Sequence, residues 1–269
     1  MDVRVSLVVI TRNRVGIIRK AIESWKGLKR PQDELIVVDG DSTDGTYEAL
    51  RDAEPGLIDL LIHEKDRSEG HAINKGFMAA RGRYLVSLGD DDLYFRDALD
   101  LAFDALDAHP EIDLLMAGGE SIDQVGDHGN LQPFFYQWYP EGAKLNENHE
   151  FVGMNGSGMV LRRSSLAVVG LFDPRHLHAD TSILTQATVR GACMRYIRVK
   201  AYSHRVGKQS GSLTNVRKTY IYDAFGFNGL SRWRYLQRPG LALDWALRRL
   251  GLRKATPPAE PVWDGKILD

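Results

Sequence analysis

Three aspartates in a row, Asp90, Asp91 and Asp92, follow the apolar run YLVSL at 84–88. Like charges set side by side where a buried strand leaves the core repel one another unless water or a cation relieves them. The residues alone leave two readings open. One is a helix N-cap with two solvated neighbours, because Asp favours that position and a helical pattern starts shortly after. The other is a divalent-cation site. Carboxylate oxygens suit Mg2+ or Mn2+, and Mg2+ commonly takes one or two carboxylates and completes its shell with phosphate oxygens of a substrate. Three more polar clusters stand at the ends of apolar runs: TRNR (11–14), VVDGDSTDGT (37–46) and EKDRSEGHAINKG (64–76).

The elements that must position these clusters are visible as two alternating periodicities. VRVSLVVI (3–10) is a near-continuous β-branched run of strand length, and Val15, Ile18, Ala21, Ile22 and Trp25 then recur at helical spacing. The N-terminal apolar stretch therefore reads as a strand rather than a signal peptide, since Arg12 and Arg14 follow at once and no small-residue cleavage site is present. The pattern repeats: a strand at 34–39 with a helix opening near Asp44, a strand at 57–63 with a helix at 69–81, and a strand at 84–88. A fourth helix carries Ala98, Leu99, Leu101, Ala102, Ala105 and Leu106 on one face. Strands that are apolar throughout and alternate with helices predict an α/β fold, a mostly parallel sheet covered on both faces. Ligands in such sheets bind at the carboxyl ends of the strands, where strand order reverses. All four polar clusters then face one crevice.

Beyond residue 110 the pattern loosens into short strands, including FFYQWY (134–139), then a strand, turn and short helix over 156–172, a helix at 181–190 and a last strand at 193–201. Residues 217–254 carry nine Lys/Arg against two Asp, interleaved with Trp233, Tyr235 and Trp245. The Pro-rich 255–269 is expected to be a flexible tail. The predicted organisation is a catalytic domain over 1–216, divided into halves at 1–110 and 111–216, a helical appendage over 217–254, and the tail.

The set of strand-end clusters, in this order and spacing, resembles the nucleotide-sugar-dependent glycosyltransferases of family 2, which have the GT-A fold. The likeness covers roughly 3–207, and DGDSTDGT with the Asp triplet some fifty residues later carries most of it. The resemblance implies that Thr11, Arg12, Asn13, Asp39 and Asp41 lie around the donor's nucleotide, with Asp39 accepting a hydrogen bond from the base NH. It implies that Asp66 and Arg67 close over the nucleotide and that Asn74 and Lys75 belong to the helix behind it. Asp90 joins the nucleotide side, while Asp91 and Asp92, with His204, are implied as ligands of a divalent cation, Mn2+ or Mg2+, that bridges the two phosphates. Asp180 matches the aspartate of an E-D segment and is the implied catalytic base. The alternative for Asp180 is a helix N-cap. Trp138, Asn155, Ser157, Arg205 and Lys208 fall on the acceptor side or in a phosphate loop. A single base opposite the leaving group implies displacement with inversion.

Four positions depart from the family pattern. Arg12 stands where a base-stacking tyrosine is common, Asp41 replaces a glycine, and Ala179 replaces the glutamate before Asp180. Gly89 likewise replaces the first aspartate of the common D-x-D-D form, which shifts the triplet.

Composition bounds the partners. Lys plus Arg (35) nearly balance Asp plus Glu (36), so no global field points to nucleic acid. The single Cys193 excludes an intrachain disulfide and a multi-thiolate zinc site. No P-loop G-x-x-x-x-G-K-[ST] and no G-x-G-x-x-G after the first strand is present, which argues against NTPase and dehydrogenase readings. A sugar-phosphate nucleotidyltransferase would carry a Gly-rich, Arg-containing loop where TRNRVG stands, and a transferase-like domain that binds without turnover is the non-enzyme alternative. The expected partners are a nucleoside-diphosphate sugar and a glycan or lipid-linked acceptor, and the expected location is cytoplasmic, at the inner face of the membrane if residues 217–254 lie on it. Trp and Arg mixed with Leu suit an anionic interface. The other reading of that segment is a helical appendage packed on the domain.

Overall fold

A computed structural model describes residues 2–123, 133–137, 156–176, 179–206 and 260–268. The chain divides into two compact units, one of residues 1–120, 136–204 and 261–269, the other of 121–135 and 205–260. Most of the second unit, with the basic-aromatic segment 217–254, lies outside the described residues.

The chain runs through β1 (Val5–Thr11), α1 (Val15–Leu28), β2 (Asp33–Asp39), α2 (Thr46–Arg51), β3 (Leu60–His63), α3 (Glu69–Ala79), β4 (Tyr84–Gly89), β5 (Leu93–Tyr94) and α4 (Arg96–Ala108). It continues through β6 (Leu114–Asp123), β7 (Pro133–Gln137), β8 (Met159–Arg162), α5 (Leu166–Val169), α6 (Ala179–Val189), β9 (Met194–Val206) and β10 (Ile267–Leu268). The sheet order is β10-β9-β6-β8-β4-β1-β2-β3. The half β4-β1-β2-β3 is parallel, as its unbroken apolar runs predict, and β8 joins β4 and β6 antiparallel. The sheet is therefore mixed, and order reverses at β1, which has β2 on one side and β4 on the other. That reversal opens the crevice in which ligands of such sheets bind.

Two cores cover the two faces. Alternate side chains of a strand point to opposite sides, so Leu7, Val9, Leu35 and Val37 pack with Ile18, Trp25, Leu99 and Phe103, while Val8, Ile36 and Val38 pack with Ile73, Phe77, Ile183 and Leu184. On the second face α3 lies directly on β1: a Cβ at Gly76 would stand 2.2 Å from Val8 Cγ1. A residue without a side chain is what lets that helix bring its N-terminus to the ends of the strands.

Two expectations need correction. β3 begins at Leu60 rather than 57, because Gly56 takes φ 82° and Leu57 enters the core from a turn. The final residues do not form a free tail over their whole length. Ile267 and Leu268 pair antiparallel with Ile197 and Tyr196, and the Asp264 carboxylate binds the Arg198 guanidinium. Among the described residues no helix is long and apolar enough to cross a membrane.

Candidate active site

The three aspartates occupy the tight connection between β4 and β5, which pairs through Leu93 and Tyr94 with Ser203 and Tyr202 of β9. They do not cap a helix, because α4 starts only at Arg96 and its N-cap is Phe95, which makes no side-chain cap bond. Each has its own partners. Asp90 Oδ2 accepts from Thr11 Oγ1 at 2.6 Å and lies 3.5 Å from Arg14 Nε. Asp92 accepts from Ser157 Oγ on one oxygen and faces His204 Nδ1 with the other, both at 2.9 Å, and is almost fully buried. Asp91 keeps a quarter of its side chain open, with Arg14 at 3.9 Å. The buried hydroxyl of Tyr94 accepts from Gly89 N at 2.8 Å and so fixes the start of the turn.

Electrostatics mark this turn as a strained concentration of negative charge. Burial, reinforced by its neighbours Asp91 and Asp92, pushes Asp90 up to about 6 despite the Thr11 hydrogen bond and the Arg14 charge. Asp91 is raised by burial and then by Asp92. Burial opposes the charge on His204, but its bond to Asp92 and the fields of Asp91 and Asp180 outweigh that and raise its pKa. Glu69, in the first turn of α3, is pushed up to about 7 by burial and then by Asp180, Asp92 and Asp91. Its side chain still reaches solvent across the mouth of the cleft.

Asp180 lies inside the first turn of α6, which begins at Ala179, and not at its cap. Its Oδ2 accepts from Gly156 N at 3.3 Å, and a Cβ on Gly156 would stand 3.0 Å from Asp180 Cβ. Gly70 of α3 abuts the same helix start, its missing Cβ 3.6 Å from that of Ala179. The two helix N-termini thus meet at one wall of the cleft, with Glu69 and Asp180 on them.

Parallel register sets the opposite wall. Thr11 pairs with Asp39, and Asp39 with His63, so these three residues form a row across the ends of β1, β2 and β3. Asp39 is fully buried. Its Oδ1 accepts a short bond from Ser42 Oγ, and its Oδ2 accepts from Ser42 N at 3.0 Å and faces His63 Nδ1 at 2.5 Å. It has no surface with which to meet a base directly. Asp41 adopts φ 66°, so the turn built for glycine keeps its left-handed residue, and its carboxylate is half exposed. Asn13, at φ 53°, ties the β1 and β2 loops together by accepting from Thr43 N and donating its own N–H to Ser42 Oγ. Arg12 is exposed, and Asp66 approaches it across Gly40, where a Cβ would meet Asp66 Oδ2 at 2.3 Å and Arg12 Cδ at 3.2 Å. Arg67 is exposed and donates its N–H to His71 Nδ1.

Two predicted donor-site side chains are turned to the scaffold. The Asn74 amide donates to Phe172 O and accepts from Phe172 N, joining α3 to the segment before α6. Lys75 Nζ donates to the carbonyls of Glu64 and Lys65 and pairs with the Glu64 carboxylate, which shapes the loop after β3. Arg205 belongs to the second unit. Trp138, Asn155 and Lys208 lie outside the described residues. Arg14, Glu69 and His63 were missed in the sequence. Arg14 and Glu69 stood inside the quoted clusters, and His63 ended the third apolar run, so their strand-end position was the signal.

Among the described residues no three of His, Cys, Asp and Glu form a ready-made cation cage. The donor chemistry nonetheless fits a divalent cation whose shell a diphosphate completes, since a hard cation needs only one or two carboxylates from the protein. Glu69, Asp90 and Asp91 are raised first by burial, with neighbouring carboxylates adding to it and Arg14 and His204 opposing it. Asp91, the most open of the triplet, would hold it, and Asp92, with its oxygens engaged by Ser157 and His204, would join only by releasing one of them.

The half-parallel sheet, its reversal at β1 and the carboxylate-lined cleft at its strand ends are those of a GT-A transferase. The chain belongs to glycosyl transferase family 2, whose sequence profile matches residues 6–170. It is 32% identical over 113 residues to a PGL/p-HBAD biosynthesis glycosyltransferase of Mycobacterium bovis, which covers 41% of this chain and 44% of that protein. An uncharacterized glycosyltransferase of Rickettsia bellii is 26% identical over 148 residues, 52% of this chain and 21% of its own length. The chain thus spans less than half of these relatives. Two solved structures share its fold. S. aureus TarS 1–349 in complex with UDP-GlcNAc has TM-score 0.58 at 20% identity, covering 77% of this chain and 59% of that one. The mannosyltransferase PcManGT of Pyrobaculum calidifontis in complex with GDP-Man and Mn2+ has TM-score 0.57 at 21% identity, covering 80% and 60%.

Proposed function

We propose that the chain transfers a sugar, with inversion, from a nucleoside-diphosphate sugar to a hydroxyl of a glycan or lipid-linked acceptor, in a divalent-cation-dependent reaction that serves cell-surface polysaccharide synthesis. The observation that carries this reading is the convergence of Asp90, Asp91, Asp92, Asp180 and Glu69 with Arg14 and His204 at the strand ends of a GT-A sheet. The nucleotide sugars bound by TarS and PcManGT support the donor class. A cytoplasmic location follows from where nucleotide sugars are made, and residues 217–254 are the candidate membrane contact.

In this reading the base and ribose lie along the row Thr11, Asp39 and His63, under Arg12 and Asp66, and the diphosphate lies over Asp91. A divalent cation there supplies electrostatic relief for the departing nucleoside diphosphate. Asp180 accepts the proton of the acceptor hydroxyl as that oxygen attacks the anomeric carbon from the face opposite the diphosphate. His204 holds Asp92, and Ser157 holds its other oxygen, so the acidic turn keeps its shape as the charge over it changes.

The test is calorimetric titration of UDP, GDP, CDP and dTDP with Mn2+ and again with chelator, followed by transfer assays with the sugar form of whichever nucleotide binds. Metal-dependent binding of one diphosphate that is lost in Asp91→Ala is expected, and binding of none would sink the donor site. Asp180→Asn is expected to keep nucleotide binding and lose transfer by about 10²–10⁴-fold. Unchanged turnover in that variant would remove Asp180 as base.

A further inference from the structure

We propose that Glu69 is a specificity-determining residue that accepts hydrogen bonds from ring hydroxyls of the transferred sugar, so that the donor carries a neutral sugar and sugars with their own carboxylate are rejected. The inference rests on the donor-site reading above and deepens it by naming the sugar class. Glu69 opens α3 directly after its cap, Ser68, whose hydroxyl accepts from His71 N at 3.2 Å, and α3 follows β3 on the donor side of the sheet. A Cβ on Gly70, the next residue, would stand 3.0 Å from Phe172 Cβ and 3.6 Å from Ala179 Cβ. The start of α3 is thus pressed against the start of α6, with Glu69 and Asp180 at one wall. Ala179, where the resemblance places a glutamate, is buried in that contact. The second carboxyl beside Asp180 comes from α3 instead.

Glu69 faces both ends of the reaction. Its carboxyl feels Asp180 on one side and Asp92, Asp91 and His204 of the acidic turn on the other. Displacement in line puts the anomeric carbon between the diphosphate over that turn and the oxygen that Asp180 deprotonates. A side chain that faces both borders the sugar ring held between them. Asp39, Asp90, Asp92 and Asp180 each accept hydrogen bonds within the protein. Among the described residues the Glu69 carboxyl has no hydrogen bond or ion pair, and it reaches solvent in the cleft. Ionised, it offers two acceptor oxygens and no donor, which suits a pair of sugar hydroxyls. A uronate there would set one more negative charge among carboxylates.

The experiment compares matched donors that differ at C6 alone: UDP-glucose with UDP-glucuronate, UDP-galactose with UDP-galacturonate, and GDP-mannose with GDP-mannuronate. Each, and free UDP, GDP, CDP and dTDP, is titrated with saturating Mn2+ into wild type, Glu69→Gln and Glu69→Ala. The titrations are run at pH 8, above the value of about 7 to which burial and then Asp180 push Glu69. Ratios taken within one variant cancel any change in folding or in cation affinity. In at least one pair the wild type is expected to bind the neutral donor about tenfold or more tighter than its uronate, and Glu69→Gln to bring that ratio near one. In Glu69→Ala the advantage of the neutral donor over its free nucleotide is expected to fall about tenfold, the loss of a hydrogen bond to a charged group. Uronates bound as well as neutral donors by the wild type, or ratios unchanged in both variants, would overturn the role of Glu69 and leave the donor site standing. Binding of no member of the three pairs would also overturn it, and failure of all four free nucleotides to bind would overturn the donor site as well.

Discussion

Glu69→Gln should make the protein more stable, and only above the acid range. The Glu69 carboxyl is held at about 7 in the folded chain against 4.5 in the unfolded one, first by burial and then by Asp180, Asp92 and Asp91. Below pH 4.5 both states are protonated and the group contributes nothing. Between 4.5 and 7 the unfolded chain ionises while the folded chain keeps its proton, so stability falls as pH rises, and above 7 the full cost is present. The displacement corresponds to about 3.4 kcal/mol at face value. Because more than a third of Glu69 reaches solvent, screening reduces this to about 1–2 kcal/mol. The expected result is a melting temperature about 3–6 °C higher than wild type at pH 8, and no difference at pH 4.5. Thermal melts in chelator, across that pH series, measure it. A gain that is equal at both ends, or a loss at pH 8, would refute the idea that this carboxylate is crowded by its neighbours.

Glu34 should behave in the opposite sense. It is buried, accepts from Ser6 Oγ and from Arg81 N and Nε, and these bonds outweigh the opposing effect of burial and hold it below its ordinary range. Its contribution is fully present above about pH 4.5 and is lost as acid protonates the folded carboxylate, so Glu34→Gln should cost about 1–3 kcal/mol at pH 7 and progressively less below 4.5 in urea titrations. Gly76→Ala should lower stability by about 1–3 kcal/mol in the same assay, because the new methyl would stand 2.2 Å from Val8 Cγ1 in the centre of β1. A neutral result at Gly76 would mean that α3 can lift away from the sheet.

The parallel half of the fold was legible because each of its strands is buried on both faces and so is apolar without interruption, from Val5 to Ile10 and from Leu35 to Val38. The antiparallel additions were harder to see. β10 is two residues long, and nothing in Ile267 and Leu268 announces pairing with β9, whose partner residues lie some seventy positions earlier. Within the site, the strand-end clusters were legible as a set, while the use of each side chain was not. The family resemblance implied Asn74 and Lys75 at the donor site, yet the Asn74 amide is bonded to the Phe172 backbone and the Lys75 ammonium to the carbonyls of Glu64 and Lys65. Glu69 and Asp180 are far apart in sequence, and only the Gly70–Ala179 approach of two helices brings them to one wall.

The adjacency of three aspartates, costly in isolation, becomes intelligible once each is followed to its partners. Asp90 turns back to Thr11 and Arg14 on the β1 side, and Asp92 turns to Ser157 and His204 on the far side of the cleft. The two outer residues hold the turn between the two halves of the sheet, and Asp91 between them is raised by burial and then by the field of Asp92. Gly89 belongs to the same arrangement. A Cβ there would stand 2.9 Å from Asp92 Oδ2, so the aspartate common at that position in relatives would push Asp92 off Ser157. The departure at Gly89 and the shifted triplet are thus one change seen twice: the backbone gives up a side chain so that Asp92 can fold over it, and Asp91 is left as the most open carboxylate of the three.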